Sequence, residues 1–225
     1  MVLQENQTEI ELSNEANQRD SVMELLRLLQ EQHPDARCQL EYDNPLQLMI
    51  AAILTAQSTE RKVNQITPLL FSRYETAAEF AAASRQDLEK LIRPTGFYRQ
   101  KARYIQGACE ILLEEHDGEV PRHMDALLKL PGISRKIANI ILAEAFEQEE
   151  GIVVDTHVMR VAQRLGLTEQ RHPKQIELDL MESFPRQNWS EAAYLLSFHG
   201  NRVCYNRRPN CTRCPLNDIC PASQG

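Results

Sequence analysis

From about residue 18 to residue 203, apolar side chains return every three or four positions, the period of helices that each bury one face. The spacing predicts helices over Gln18–Gln32, Pro45–Gln57, Arg61–Tyr74, Ala77–Ala83, Arg85–Ile92, Arg99–His116, Met124–Lys129, Arg135–Phe146, His157–Leu165, Pro173–Ser183 and Ser190–His199, joined by short connections. Leu46, Met49, Ile50, Ile53, Leu54 and Gln57 share one helical face, so a polar amide ends an otherwise apolar stripe. Ile137 to Phe146 is apolar nearly all round, which predicts a helix buried in the interior. Neither strand alternation nor an internal repeat interrupts the pattern. The fold class expected is all-α.

Composition agrees. Eight glycines and eleven prolines in 225 residues are too few for a turn-rich β architecture, and 42% apolar residues suffice for a sizeable core. No run approaches 18 apolar residues, and the polar, acidic start of the chain lacks a signal-peptide pattern, so the expectation is a cytoplasmic protein with no membrane partner. Residues 1–16, rich in Gln, Asn, Glu and Ser, read as a disordered acidic tail. The net charge of −7 argues against a nucleic-acid partner until its distribution is considered. Residues 1–24 hold six acids and one base, leaving −2 for the other 201 residues, and the last 25 residues set Arg202, Arg207, Arg208 and Arg213 against Asp218.

Cys204, Cys211, Cys214 and Cys220 crowd into 17 residues as C-x6-C-x2-C-x5-C. A reducing compartment disfavours disulfides, which leaves a metal centre or free thiols. Four thiolates suit tetrahedral zinc or a cubane iron-sulfur cluster, and the single C-x2-C knuckle favours the cluster without excluding zinc. Cys38 and Cys109, in apolar surroundings, read as packing residues.

Leu127 to Asn139, LLKLPGISRKIAN, reads as helix, tight turn, helix, with Leu130 closing the first helix and Arg135 opening the second. Free N–H groups at such a helix start suit a DNA phosphate; an ordinary helix corner is the plainer alternative. Lys136 falls in the first turn of the helix expected to be buried, where dipole and desolvation both oppose an ammonium. Lowering a lysine pKa from about 10.4 to about 8 raises its neutral fraction near pH 7.5 from on the order of 0.1% to roughly a quarter, as a nucleophile requires. A lysine whose head snorkels to water is the competing account. Asp155, between Ile152-Val153-Val154 and the helix near His157, reads as an N-cap, and beyond that as a carboxylate able to move protons or stabilise a cation forming at an anomeric carbon.

Together these residues resemble the endonuclease III family of DNA glycosylases within the helix-hairpin-helix superfamily. The resemblance runs from Gln18 to Cys220 and rests on TAQST at Thr55–Thr59, TGFYRQKA at Thr95–Ala102, GEVP at Gly118–Pro121, LPGISRKIAN at Leu130–Asn139, VDTHVMRV at Val154–Val161, HG at His199–Gly200 and the four-cysteine loop. It implies two helical domains: a six-helix domain over residues 39–146 that carries the helix-hairpin-helix, and an iron-sulfur cluster domain from residues 17–38 and 147–225. Damaged double-stranded DNA would cross the groove between them. It further implies a monomer, a nucleoid-associated location, a [4Fe-4S] cluster on Cys204, Cys211, Cys214 and Cys220, and removal of oxidised pyrimidines with strand cleavage by β-elimination. Position by position, Lys136 corresponds to the lysine that attacks C1′, and Asp155 to the family's aspartate. Gln57 corresponds to the glutamine that fills the space left by the extruded nucleotide, Phe97 to the apolar wedge, and Gly132 and Ser134 to the phosphate-gripping hairpin. Arg207 and Arg208, beside the cluster, are expected to meet the DNA backbone.

Several positions depart from the commonest family pattern. Ser134 and Ile137 stand where LPGVGRKTA has glycine and threonine, Phe97 where many relatives carry leucine, and Glu60 where an aspartate often follows the glutamine motif. An adenine-specific relative is excluded, because it lacks the lysine and carries a glutamate in the helix corresponding to Pro45–Gln57, which here has no carboxylate. A monofunctional mismatch or alkylbase glycosylase, and a non-catalytic iron-sulfur DNA-binding protein, are the remaining alternatives. Lys136 argues against both.

Overall fold

The computed structural model describes residues 20–223, so the expectation of a disordered tail over residues 1–16 lies outside the described residues. Within them the chain is helical: α1 (20–32), α2 (Pro45–Leu54), α3 (Glu60–Arg73), α4 (Ala77–Ala82), α5 (Arg85–Ile92), α6 (Tyr98–Glu115), α7 (Met124–Leu127), α8 (Arg135–Phe146), α9 (Thr156–Arg164), α10 (Pro173–Ser183) and α11 (Trp189–Arg202). No helix among the described residues is long and apolar enough to cross a membrane. The described residues divide into two compact units, one of residues Cys38–Glu150 and one of residues 20–37 with 151–223.

In the unit of residues 38–150, α2 is the central helix. Asn44 caps it by accepting from the Gln47 amide at 3.0 Å, Pro45 opens it, and every residue from Leu48 to Leu54 is buried. The helix buried all round is thus α2, where one buried face was expected, whereas α8 buries Ile137, Ala138, Asn139, Ile141 and Leu142 and leaves Lys136 exposed. The α4 helix starts in a reciprocal box, Thr76 capping the Glu79 amide while the Glu79 carboxylate accepts from the Thr76 amide. Ala102, Ile105, Ala108, Cys109 and Leu112 turn α6 inward against α4 and α5, with Cys109 filling core space as expected. Burial, and then the neighbouring Glu110, push the Cys109 thiol up to about 12.

The second unit is built on α9 packed against α11. The α1 helix contributes Val22, Leu25, Leu26 and Leu29, one helical face, to a core shared with Val158, Val161, Ile176, Leu180 and Leu196. Gly200 permits the close approach of α11 to α9: a Cβ there would lie 2.8 Å from His157 Cβ.

Candidate DNA-repair site

Between α7 and α8 the chain makes the hairpin foreseen from Pro131-Gly132, but α7 stops at Leu127 and residues 128–130 are turn and bend, so Leu130 does not close a helix. Gly132 has φ +83°, and a Cβ on it would meet Tyr104 of α6 at 2.8 Å, so both conformation and space require glycine. Ser134, at φ −88° and ψ 165°, is extended backbone open to any residue; the glycine of the commoner pattern is not needed for the fold here. Its hydroxyl accepts from the Ile137 amide at 3.3 Å and caps α8. Lys136 follows in the first turn and is exposed. Lys136 is thus not enclosed in the free protein, contrary to expectation, because the buried stretch of α8 begins one residue later, at Ile137.

Two exposed turns of the same unit carry Gln57 and Phe97. The stripe of α2 was expected to reach Gln57, yet the helix ends at Leu54, and Gln57 sits in the following turn with φ +53°. It is exposed, not a buried amide. Phe97, at φ +47° and 64% exposed, precedes α6 and packs in no core. Exposed Arg99 and Arg103 line one shallow pocket with it, and exposed Arg93 and Arg99 lie 5.9 and 5.7 Å from the Tyr98 ring, a set of basic residues that the motifs did not single out. Nor does any motif single out Lys101. Its side chain is 2% exposed, and Nζ donates to the Leu54 carbonyl and to the Thr95 carbonyl, each at 2.8 Å.

In the other unit, Asp155 is the N-cap of α9. One carboxylate oxygen accepts from the His157 and Val158 amides, both at 2.8 Å, and the other accepts from Ser197 Oγ at 2.8 Å. Ser197 holds the carboxylate from α11, a partner with no advance signal in the sequence.

Cys204, Cys211, Cys214 and Cys220 line one cavity with Val161, Leu165 and Leu216. All four are unpaired with one another and half-buried. Cys214 Sγ lies 3.4 Å from His199 Nε2, and Arg164 donates to Cys204 Sγ at 3.1 Å and to the Tyr205 carbonyl at 2.7 Å. His199 is itself buried beside His33, with 3.2 Å between ring nitrogens; burial, then the charge of His33, push it down to about 4. Four thiols around one part-apolar cavity, with an arginine donor on one of them, are a donor set that fits an iron-sulfur cluster. Among the described residues no three His, Cys, Asp or Glu side chains gather as ligands for a single metal ion.

Arg207 and Arg208 are exposed beside this loop, whereas Arg202 is not part of a free basic patch. It forms a bidentate pair with Asp35, both distances 2.7 Å, over the Phe198 ring; that guanidinium holds the Asp35 carboxyl down to about 2.

With this geometry in place, comparison with known proteins is direct. The family description "HhH-GPD superfamily base excision DNA repair protein" matches residues 50–186, which include the hairpin, Lys136 and Asp155. The chain is 47% identical to an endonuclease III of Synechocystis over 209 residues, 93% of this chain and 95% of that protein. It is 38% identical to an endonuclease III of Bacillus subtilis over 192 residues, 85% and 87% of the two chains. The solved structure of a non-covalent endonuclease III-DNA complex matches with a TM-score of 0.85 at 39% identity, over 92% of this chain and 96% of that one. On sequence and fold together, the chain belongs to the endonuclease III family of base-excision repair proteins.

Proposed function

We propose that the protein is a DNA glycosylase with an associated lyase activity, acting on oxidised pyrimidines in duplex DNA with Lys136 as nucleophile. The observation that carries this reading is the placement of an exposed lysine in the first turn of α8, directly after a hairpin that turns at Gly132 with φ +83° and caps the helix start with Ser134. Backbone amides and the positive end of α8 grip a phosphate, and the amine beside them reaches the sugar. The neutral Nζ attacks C1′, the bond from C1′ to the base breaks with its electron pair leaving on the base, and the nitrogen gives up a proton. Opening of the sugar ring leaves a Schiff base. Loss of a proton from C2′ then expels the 3′ phosphate, and water frees the lysine. Lys136 is open to water in the free protein, so the bound nucleotide completes the enclosure of the reacting atoms.

Asp155 serves this sequence as the carboxylate that stabilises the cation developing at C1′ and carries protons, its orientation fixed by two α9 amides and Ser197. Gln57 and Phe97 enter the duplex from their exposed turns and offset part of the few kcal/mol lost on unstacking a base. Cys204, Cys211, Cys214 and Cys220 would hold a [4Fe-4S] cluster, which would order the loop that carries Arg207 and Arg208 for the DNA backbone. The working location is the cytoplasm, on the cell's own DNA.

Single-turnover cleavage of a thymine-glycol duplex tests the assignment. Wild type should release the base and nick the strand, and Lys136→Gln should do neither. Equal cleavage by both proteins would refute it.

A further inference from the structure

An ammonium enclosed in a protein needs partners, and lysine is almost never buried without them. Lys101 has two. Its Nζ donates to the carbonyls of Leu54 and Thr95, each at 2.8 Å. Leu54 is the last residue of α2: the Thr55 and Ala56 amides turn back to the carbonyls of Ala51, Ala52 and Ile53, the last turn holds no basic residue, and it is Lys101 that meets the Leu54 carbonyl. Lys101 supplies that charge from α6. Three residues after Leu54 comes Gln57 at φ +53°, and two residues after Thr95 comes Phe97 at φ +47°. A left-handed conformation is unfavourable for a side-chain-bearing residue and persists only where the surroundings fix it. The same helix meets the hairpin one turn further on, where Tyr104 abuts Gly132.

We propose that Lys101 is a positioning residue for DNA insertion: one buried side chain bridges the backbone in front of both turns and sets Gln57 and Phe97 as a single unit against the duplex. It touches neither substrate nor the reacting atoms. The inference rests on the proposal that these two turns enter DNA, and it adds that they do so jointly, through one donor.

Lys101→Met keeps the length and apolar stem and removes the donors. Insertion is read by the fluorescence of 2-aminopurine opposite an abasic-site analogue, which needs no chemistry at Lys136; reaction is read by borohydride trapping on abasic DNA, duplex against single-stranded. The variant should lose the fluorescence rise and trap about tenfold or more slowly on duplex, as a sub-ångström misplacement implies, while matching wild type on single strands. Combined with Gln57→Ala and Phe97→Ala, it should cause no further loss. Unchanged fluorescence, an equal loss on both substrates, or an additive loss in the combined variant would overturn the proposal. Wild type that gives the fluorescence change yet traps on neither substrate would instead refute the role of Lys136. If Lys101→Met does not fold, wild type still decides: its 15N-labelled Lys101 ammonium should exchange protons slowly with water, and exchange at the rate of a surface lysine would overturn the proposal.

Discussion

Asp155 gives one oxygen to the α9 amides and the other to Ser197, and substitution can separate its capping from its proposed chemical part. Asparagine caps helices about as well as aspartate, whereas alanine costs roughly 0.5–2 kcal/mol. Asp155→Asn should therefore unfold in urea within about 1 kcal/mol of wild type while base release slows by about tenfold or more, and Asp155→Ala should lose both. An asparagine variant with full turnover would leave the carboxylate with capping alone. Gly132 is constrained twice over, by φ +83° and by Tyr104 at 2.8 Å from any added Cβ. Gly132→Ala should cost about 1–3 kcal/mol in urea denaturation; a cost near zero would mean that the hairpin adjusts freely.

At the scale of elements, α6 ties its unit together, and Lys101 gives it a pH signature. Burial pushes the Lys101 ammonium down to about 8 from its ordinary 10.5. Between those values the unfolded chain binds a proton that the folded protein does not, so stability contributed at this site rises with pH from about 8 to 10.5 and is lost as pH falls through 8. Denaturation midpoints of wild type measured against Lys101→Met should diverge in that sense across the window; parallel curves would show that the amine is not enclosed. The helices were legible in the sequence because their apolar spacing is regular, and α5, α8 and α10 begin and end where that spacing predicts. Ends were less so. The α2 stripe continues in register to Gln57, but Thr55 turns back to bond the Ala52 carbonyl and the chain leaves the helix, an event carried by hydrogen bonds rather than by hydrophobic pattern. Lys101 was visible in principle: it shares a face with Ala102, Ile105, Ala108, Cys109 and Leu112, and a lysine in a buried stripe is a signal. The exposure of Lys136 was not, because whether the first turn of an apolar helix is covered depends on what packs there, which no local pattern encodes.

Across the whole molecule the net charge of −7 conceals where cations are free. Arg202 is occupied by Asp35, while Arg207 and Arg208 are exposed. Replacing both exposed arginines with alanine should flatten the dependence of log K on log salt by about 0.9 for each phosphate no longer neutralised and leave iron content unchanged, whereas Arg202→Ala should leave the slope as it is. An unaltered slope in the double variant would place DNA elsewhere. The proposed chemistry depends on one covalent bond between Lys136 and C1′ of the damaged nucleotide. Borohydride reduction during turnover on a thymine-glycol duplex, followed by peptide mass spectrometry, should find the sugar remnant on Lys136 and nothing trapped by Lys136→Gln. A remnant on another residue, or trapping undiminished in that variant, would contradict the account.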